Sequence, residues 1–289
     1  MSRGNIAIWF DPATQWYAPS KGKQGRNQTY SDAAIQCCLM IKSLFRLSLR
    51  MVTGFVQSLI KLCGLNWTAP DYTTLCRRQK HIDIVISYQK SSDGLHLLMD
   101  STGMKFLGEG EWKRKKHGPE YRRQWRKLHI GIDAKTLQIR AVQLTTNNVS
   151  DSQVLGDLLN QIPQDEQIDS VYTDGAYDTK QCRQVIADRQ GHAVIPLRKN
   201  AKPWKDTKSS SLERNELLRT VKRLGRKLWK KWSGYHRRSL VETKMHCIKL
   251  LGDKLMARSF PSQVNEIHAR VAVLNRFTEL GRPLTQVTP

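Results

Sequence analysis

The sequence lacks the apolar run that a bilayer requires. Its most hydrophobic segment, Ile35 to Leu62, is interrupted by Lys42, Arg46, Arg50 and Lys61, whereas a membrane helix needs about 20 nearly uncharged residues. The opening residues, MSRGNIAIWFDP, have neither the apolar core nor the small-residue cleavage site of a secretory signal. The cysteines Cys37, Cys38, Cys63, Cys76, Cys182 and Cys247 form no CxxC pair and no Cys/His ligand spacing. That argues against a disulfide framework and structural zinc, and leaves buried, reduced thiols as the expectation. His96, His117, His129, His192, His236, His246 and His268 form no metal-spaced cluster, and no Ser/His/Asp or Cys/His nucleophile is discernible. Negative charge is scarce as well: 25 Asp+Glu face 48 Lys+Arg, a net charge of +23. A polyanion is the implied partner, with nucleic acid the default class, and without an apolar span no membrane is expected. The expected setting is the cytoplasm, in association with the nucleoid.

What is present falls into blocks. Residues 1 to 30 carry Gly4, Pro12, Pro19, Gly22 and Gly25 with little periodicity, which reads as an irregular arm with a basic tip at Lys21, Lys23 and Arg26. Residues 31 to 93 read as a helical module. SDAAIQCCLMIKSLFRLSLRMV has an N-cap at Ser31 and apolar residues at helical spacing; a second helix covers Val52 to Cys63 and ends at Gly64; a third, DYTTLCRRQKHI, is capped by Asp71 and carries Arg77 and Arg78. Three short helices ending in a basic one fit a helix-turn-helix DNA reader, and equally an ordinary small bundle of a basic protein.

From residue 94 to 280 the pattern becomes that of strands alternating with helices. LHLLMD ends on Asp100; KLHIGID and LQIRAVQLTT flank the turn Ala134-Lys135-Thr136; DSQVLGDLLNQI is helical; QIDSVYTD ends on Asp174; TKQCRQVIADR is helical; HAVIPL is a fifth strand. This order implies an α/β fold with a ribonuclease-H-like mixed sheet flanked by helices, followed by a tail at 281 to 289. Gly103 and Gly175 read as tight turns, and Asp133, Asp151 and Asp178 as caps or turn residues.

Asp100 and Asp174 stand at the C-terminal ends of two apolar strands, the sheet edge where ligands bind in open α/β folds. Two carboxylates brought together there repel unless a cation joins them, which implies a hard divalent ion, Mg²⁺ first and Mn²⁺ as its substitute. A third acid comes from YHRRSLVETKMHCIKLLG. At about 100° per residue, Arg238, Glu242 and Lys249 fall within roughly 60° of Tyr235 on a helix. By itself such a stripe is also compatible with a solvated polar face.

The spacing Y-(2)-R-(3)-E-(6)-K at Tyr235, Arg238, Glu242 and Lys249 resembles the signature of bacterial insertion-sequence transposases of the DDE class. LMDSTGMK around Asp100 and VYTDGAYD around Asp174 resemble the two acidic motifs of that class, particularly of the insertion-sequence family numbered five. The resemblance, over roughly residues 30 to 275, implies a metal-dependent transposase whose partner is double-stranded DNA, at element ends and target, with no small-molecule substrate. Asp100, Asp174 and Glu242 would be catalytic and metal-binding, Tyr235, Arg238 and Lys249 would act at DNA, and the protein would work as a homodimer or higher oligomer. A ribonuclease-H-like nuclease without strand transfer, and a catalytically inactive DNA-binding regulator, are the alternatives.

Between the fifth strand and the signature lies an insertion, 198 to 231, with 13 Lys+Arg against Asp206, Glu213 and Glu216. Lys222, Arg223, Arg226, Lys227 and Lys230 with Trp204, Trp229 and Trp232 suit a surface that grips phosphates and stacks on an unpaired base. A basic solvated helix with inward tryptophans gives the same pattern. A second basic run, 113 to 127, carries Arg122 and Arg123.

Overall fold

The computed structural model describes residues 13–20, 22, 27–90, 93–108, 110–118, 124–205 and 207–281. The expected basic positions Lys21, Lys23, Arg26, Arg122 and Arg123 lie outside the described residues. The chain forms two compact units: Met1–Ser87 with Phe106–Glu109 and Ile248–Pro289, and Tyr88–Lys105 with Gly110–Cys247.

The first unit is helical. Helices α1 (Asp32–Phe45), α2 (Leu49–Leu62) and α3 (Tyr72–Arg78) start at side-chain caps from Ser31, Ser48 and Asp71. The single long first helix expected from residue 31 onward is not formed. Arg46 turns left-handed at φ 53°, with its N–H bonded back to Lys42, and Ser48 then caps a fresh start. Serine is a cap-forming residue type, but helical apolar spacing on both sides of Ser48 hides the break from a reading of the sequence. In the described part of the arm Trp16 is buried, stacks on Trp67 at 4.8 Å and donates its indole N–H to the Thr68 carbonyl at 2.8 Å. Of the cysteines, Cys38 is buried as expected, whereas Cys63 and Cys76 are exposed.

The C-terminal helix α10 covers Phe260–Glu279. It belongs to this helical unit, not to the strands with which the sequence grouped it, and packs along α1. Asn265 donates to the Gln79 carbonyl at 2.8 Å, Gln79 to Ser262 at 3.1 Å, and Asn275 to Ser87 at 3.1 Å. An apolar helix face near a chain end is read equally well as covering a sheet or a bundle, and only packing decides.

The second unit is built on a sheet: β1 (Leu95–Phe106), β2 (Arg126–Asp133), β3 (Ile139–Thr146), β4 (Ile168–Tyr172) and β5 (His192–Val194), in the spatial order β3-β2-β1-β4-β5. β2 runs antiparallel to β1 and β3; β4 runs parallel to β1 and β5. This is the ribonuclease-H-like mixed arrangement. Asp133 fixes the β2–β3 turn by accepting from the Lys135 and Thr136 amides, the turn role expected of it. The remaining helices are α4 (Glu111–His117), α5 (Asp151–Asn160), α6 (Lys180–Asp188), α7 (Ser209–Leu224), α8 (Arg226–Trp232) and α9 (Ser239–Leu250). α5 and α6 bury Val154, Leu155, Leu158, Leu159, Cys182 and Ile186 against Leu95, Leu97 and Met99 of β1. Burying each such aliphatic side chain contributes roughly 1.5–3 kcal/mol. Among the described residues no helix is long and apolar enough to cross a membrane.

Candidate active site

Asp100 does not end its strand, as the sequence suggested. β1 continues six residues to Phe106, with Gly103 inside the strand and not at a turn. Asp100 therefore sits mid-strand, opposite Ile130 of β2, where the backbone on both sides is fixed by pairing. Its Oδ1 accepts from the Ser101 amide at 2.8 Å. Asp174 lies two residues beyond β4 and caps the 3-10 turn Gly175–Tyr177, accepting from the Ala176 amide at 2.9 Å. Gly175 does open a tight turn, as expected.

Arg198 holds that turn from the other side, donating to the carbonyls of Gly175 at 3.2 Å and Ala176 at 3.1 Å. Four residues after Asp174, Asp178 is buried between two arginines, Arg183 at 3.0 Å and Arg214 at 3.1 Å. Asp178 is thus a buried ionic anchor, more than the cap or turn residue expected. Arg214 belongs to α7, bonds the Lys202 carbonyl and lies 4.2 Å over the Trp204 ring. It ties the basic insertion to the turn carrying Asp174. Arg183, Arg198 and Arg214 were not singled out in the sequence, because arginines in a chain this basic read as surface charge until burial distinguishes them.

Tyr235, Arg238 and Glu242 do not share one α-helix. Tyr235–Arg238 is a 3-10 turn, preceded by Gly234 at φ 64°, and α9 begins at Ser239. The stripe survives because a 3-10 turn followed directly by a helix keeps residues three and four apart on one side. Val241 and Met245 of α9 are buried in the core. Lys249 lies in the last turn of α9, in the part of the chain that belongs to the first unit.

Arg238 is the centre of the arrangement. One end of its guanidinium bonds Asp100 and the other bonds Glu242. The Arg238 and Asp100 side chains are only 19% and 15% exposed, while Glu242 at 55% faces solvent. Burial raises the Asp100 pKa, and the nearby Asp174 charge adds to the rise, against the Ser101 amide and Arg238, which lower it. Burial likewise raises Tyr235, whose hydroxyl bonds Arg238, and Asp100 and Asp174 contribute to the rise. Burial lowers the Arg238 pKa, but the charges of Asp100 and Glu242 and the hydrogen bond to Asp100 raise it, and the net direction is up.

Among the described residues no group of three or more His, Cys, Asp or Glu stands at metal-holding distance; Arg238 lies between two of the three acids expected to do so. The donor set nonetheless fits a hard divalent cation: every candidate ligand is a carboxylate, and the pair Asp100 and Glu242 already shares one positive group.

Around this centre, Trp229 lies 5.7 Å from Tyr235 and Lys230 is 5.4 Å over its ring. Gly175, Leu197, Leu217, Val221, Arg226 and Trp229 line a pocket of about 260 Å³ beside the Asp174 turn. Lys222, Arg223, Arg226, Lys227 and Lys230 are exposed on α7 and α8, as is Trp232. In the first unit Arg77 is exposed, whereas Arg78 is engaged by the Tyr30 carbonyl and Asp32.

Two family models, each described as a transposase DDE domain, match residues 1–109 and 91–276. Among solved structures, a chain of a simian T-cell lymphotropic virus intasome in complex with PP2A regulatory subunit B56 gamma aligns at 14% identity over 75% of this chain and 74% of its own, with a TM-score of 0.26. A chain of the Drosophila P element transposase strand transfer complex aligns at 14% identity over 91% of this chain and 63% of its own, with a TM-score of 0.32. This chain spans less than two thirds of that relative, and likenesses this slight leave the fold to be read from the sheet itself.

Proposed function

The chain belongs to the transposase DDE-domain family, whose model alone spans more than half of it, and we propose that it binds the ends of an insertion sequence and cleaves and joins DNA there. The observation that carries this reading is the bridge from Arg238 to both Asp100 and Glu242, with the Asp174 charge close enough to raise Asp100. Asp100 of β1 and Glu242 of α9, far apart in sequence, thus share one arginine, and the charge of Asp174 from the turn after β4 acts on Asp100, which supports this reading.

Asp100, Asp174 and Glu242 would hold Mg²⁺, or Mn²⁺ in its place. When bound, such ions activate the attacking oxygen and stabilise the leaving oxygen of a phosphodiester. The protein's own part is positioning and charge. β1 and the Arg198-pinned turn keep Asp100 and Asp174 in fixed orientation, so little reorganisation is needed when a phosphate arrives. Tyr235, Arg238 and Lys249 orient DNA; Lys222, Arg223, Arg226, Lys227 and Lys230 hold its backbone. Trp229 offers an aromatic face to an unpaired base next to Asp174. The helical unit, with Arg77, reads the element's end, and two or more subunits act together on a pair of ends.

Asp100→Asn, Asp174→Asn and Glu242→Gln should each bind end DNA and fail to cut it. Wild-type cleavage by any of them removes that residue from the site. A strand-transfer assay with pre-cut ends separates this reading from a nuclease that only hydrolyses: release of ends with no joined product would favour the nuclease.

A further inference from the structure

The Asp100 side chain is only 15% exposed, so neighbouring groups carry much of the balancing of its charge. The neighbours that act on it are its own strand's Ser101 amide, Asp174, which repels it, and Arg238, which attracts it. The arginine reaches it in a particular way. A planar fork presents separate N–H groups at its two ends, and here one end is committed to β1 through Asp100 and the other to α9 through Glu242. The Tyr235 hydroxyl is a further partner of Arg238 on the same turn. The guanidinium thus ties two of the three acids together in the way a cation would.

A divalent ion bound by those carboxylates and a guanidinium bonded to the same pair are mutually exclusive in practice. Like charges about 4 Å apart repel at a partly buried site, and Arg238 has no proton it can give up near neutral pH. The two cations must trade places. A displaced Arg238 remains tethered beside the acids by its own 3-10 turn, its donors freed, with Trp229 and Lys230 around the neighbouring Tyr235. That is where the phosphate of a scissile strand would lie.

On the reading that Asp100 and Glu242 are cation ligands, we propose that Arg238 is the resident counter-ion of the acidic site. A divalent cation exchanges for it, and the guanidinium so released takes a DNA phosphate. Cation and DNA then reinforce one another through a single side chain, because each favours the state in which Arg238 has left the acids. Coupling of this kind is reciprocal.

The experiment measures Mn²⁺ binding to the full chain without DNA, from loss of the free-ion electron paramagnetic resonance signal. Arg238→Gln should bind Mn²⁺ roughly 5-fold or more tightly than wild type, within the usual range of such couplings. Arg238→Lys, whose single ammonium cannot span two carboxylates, should also bind it more tightly, by a smaller factor, and serves if the glutamine variant does not fold. Unchanged or weaker Mn²⁺ affinity in the folded variants overturns the proposal. Asp100→Asn and Glu242→Gln test the underlying reading separately: Mn²⁺ binding that survives both means that these acids are not ligands, whatever Arg238 does. In a second arm, anisotropy of a labelled duplex at fixed ionic strength should show that replacing EDTA by Ca²⁺ tightens binding more for wild type than for Arg238→Gln. Equal increments overturn the coupling.

Discussion

Arg214 and Asp178 meet through two bonds, Nε to Oδ1 at 3.3 Å and Nη2 to Oδ2 at 3.1 Å, with both side chains almost fully buried. Arg183 shares the same carboxylate, so one buried negative charge serves two buried positive ones. Asp178→Ala strands two guanidiniums and should cost about 3–5 kcal/mol, whereas Arg214→Met leaves a balanced Asp178–Arg183 pair and should cost clearly less. Urea denaturation midpoints measure both, and equal losses would contradict the charge balance.

His129 sits fully buried on β2, its Nε2 3.0 Å from the Thr145 hydroxyl and its Nδ1 3.4 Å from Asp151. Burial pushes its pKa down to about 4, against the Asp151 charge that pulls it up. The folded protein therefore favours neutral His129. Its contribution to stability is present above the unfolded value of 6.5 and is lost as pH falls from 6.5 towards 4, by at most about 3 kcal/mol. His129→Gln, compared with wild type across that window, should lose stability less steeply; parallel curves would mean that another group is responsible.

DNA affinity should fall steeply with salt, with a logarithmic slope of about −0.9 for each duplex phosphate neutralised. Lys222, Arg223, Arg226, Lys227 and Lys230 are all exposed along α7 and α8. Replacing three of them by glutamine should make the slope shallower by roughly 2 to 3, measured by anisotropy titrations from low to moderate salt. An unchanged slope would move the phosphate grip elsewhere.

One alanine inserted between Arg238 and Glu242 rotates the downstream helix by about 100° and advances it by about 1.5 Å. Either Glu242 leaves Arg238, or Val241 and Met245 leave the core to keep it there. Cleavage should vanish while far-ultraviolet circular dichroism retains its helical amplitude. Activity close to wild type would mean that the Arg238–Glu242 contact is dispensable.

The order of strands and helices in the second unit was legible because alternating apolar runs and capped amphipathic segments follow from local geometry. The pairing of β1 with both β2 and β4 follows from that order once a ribonuclease-H-like sheet is assumed. The length of β1 was not legible. Ser101, Thr102 and Gly103 look like the start of a loop, and they remain strand because β2 pairs with β1 as far as Met104. The break at Arg46 and the 3-10 turn at Tyr235 were missed for a related reason: helical spacing of side chains barely distinguishes one long helix from two short ones, or a 3-10 turn from an α-turn.

The sequence by itself determined which acids are candidates, Asp100, Asp174 and Glu242, and the chemistry they suit, because residue type and spacing are properties of the chain. It also determined the excess of positive charge that calls for a polyanion. Only the tertiary structure decided that Arg238 stands between Asp100 and Glu242, that Asp178 anchors the insertion through Arg214, and that α10 joins the helical unit. Those facts depend on which groups lose their water together, and desolvation is set by packing among segments distant in sequence. No local pattern of residues encodes it.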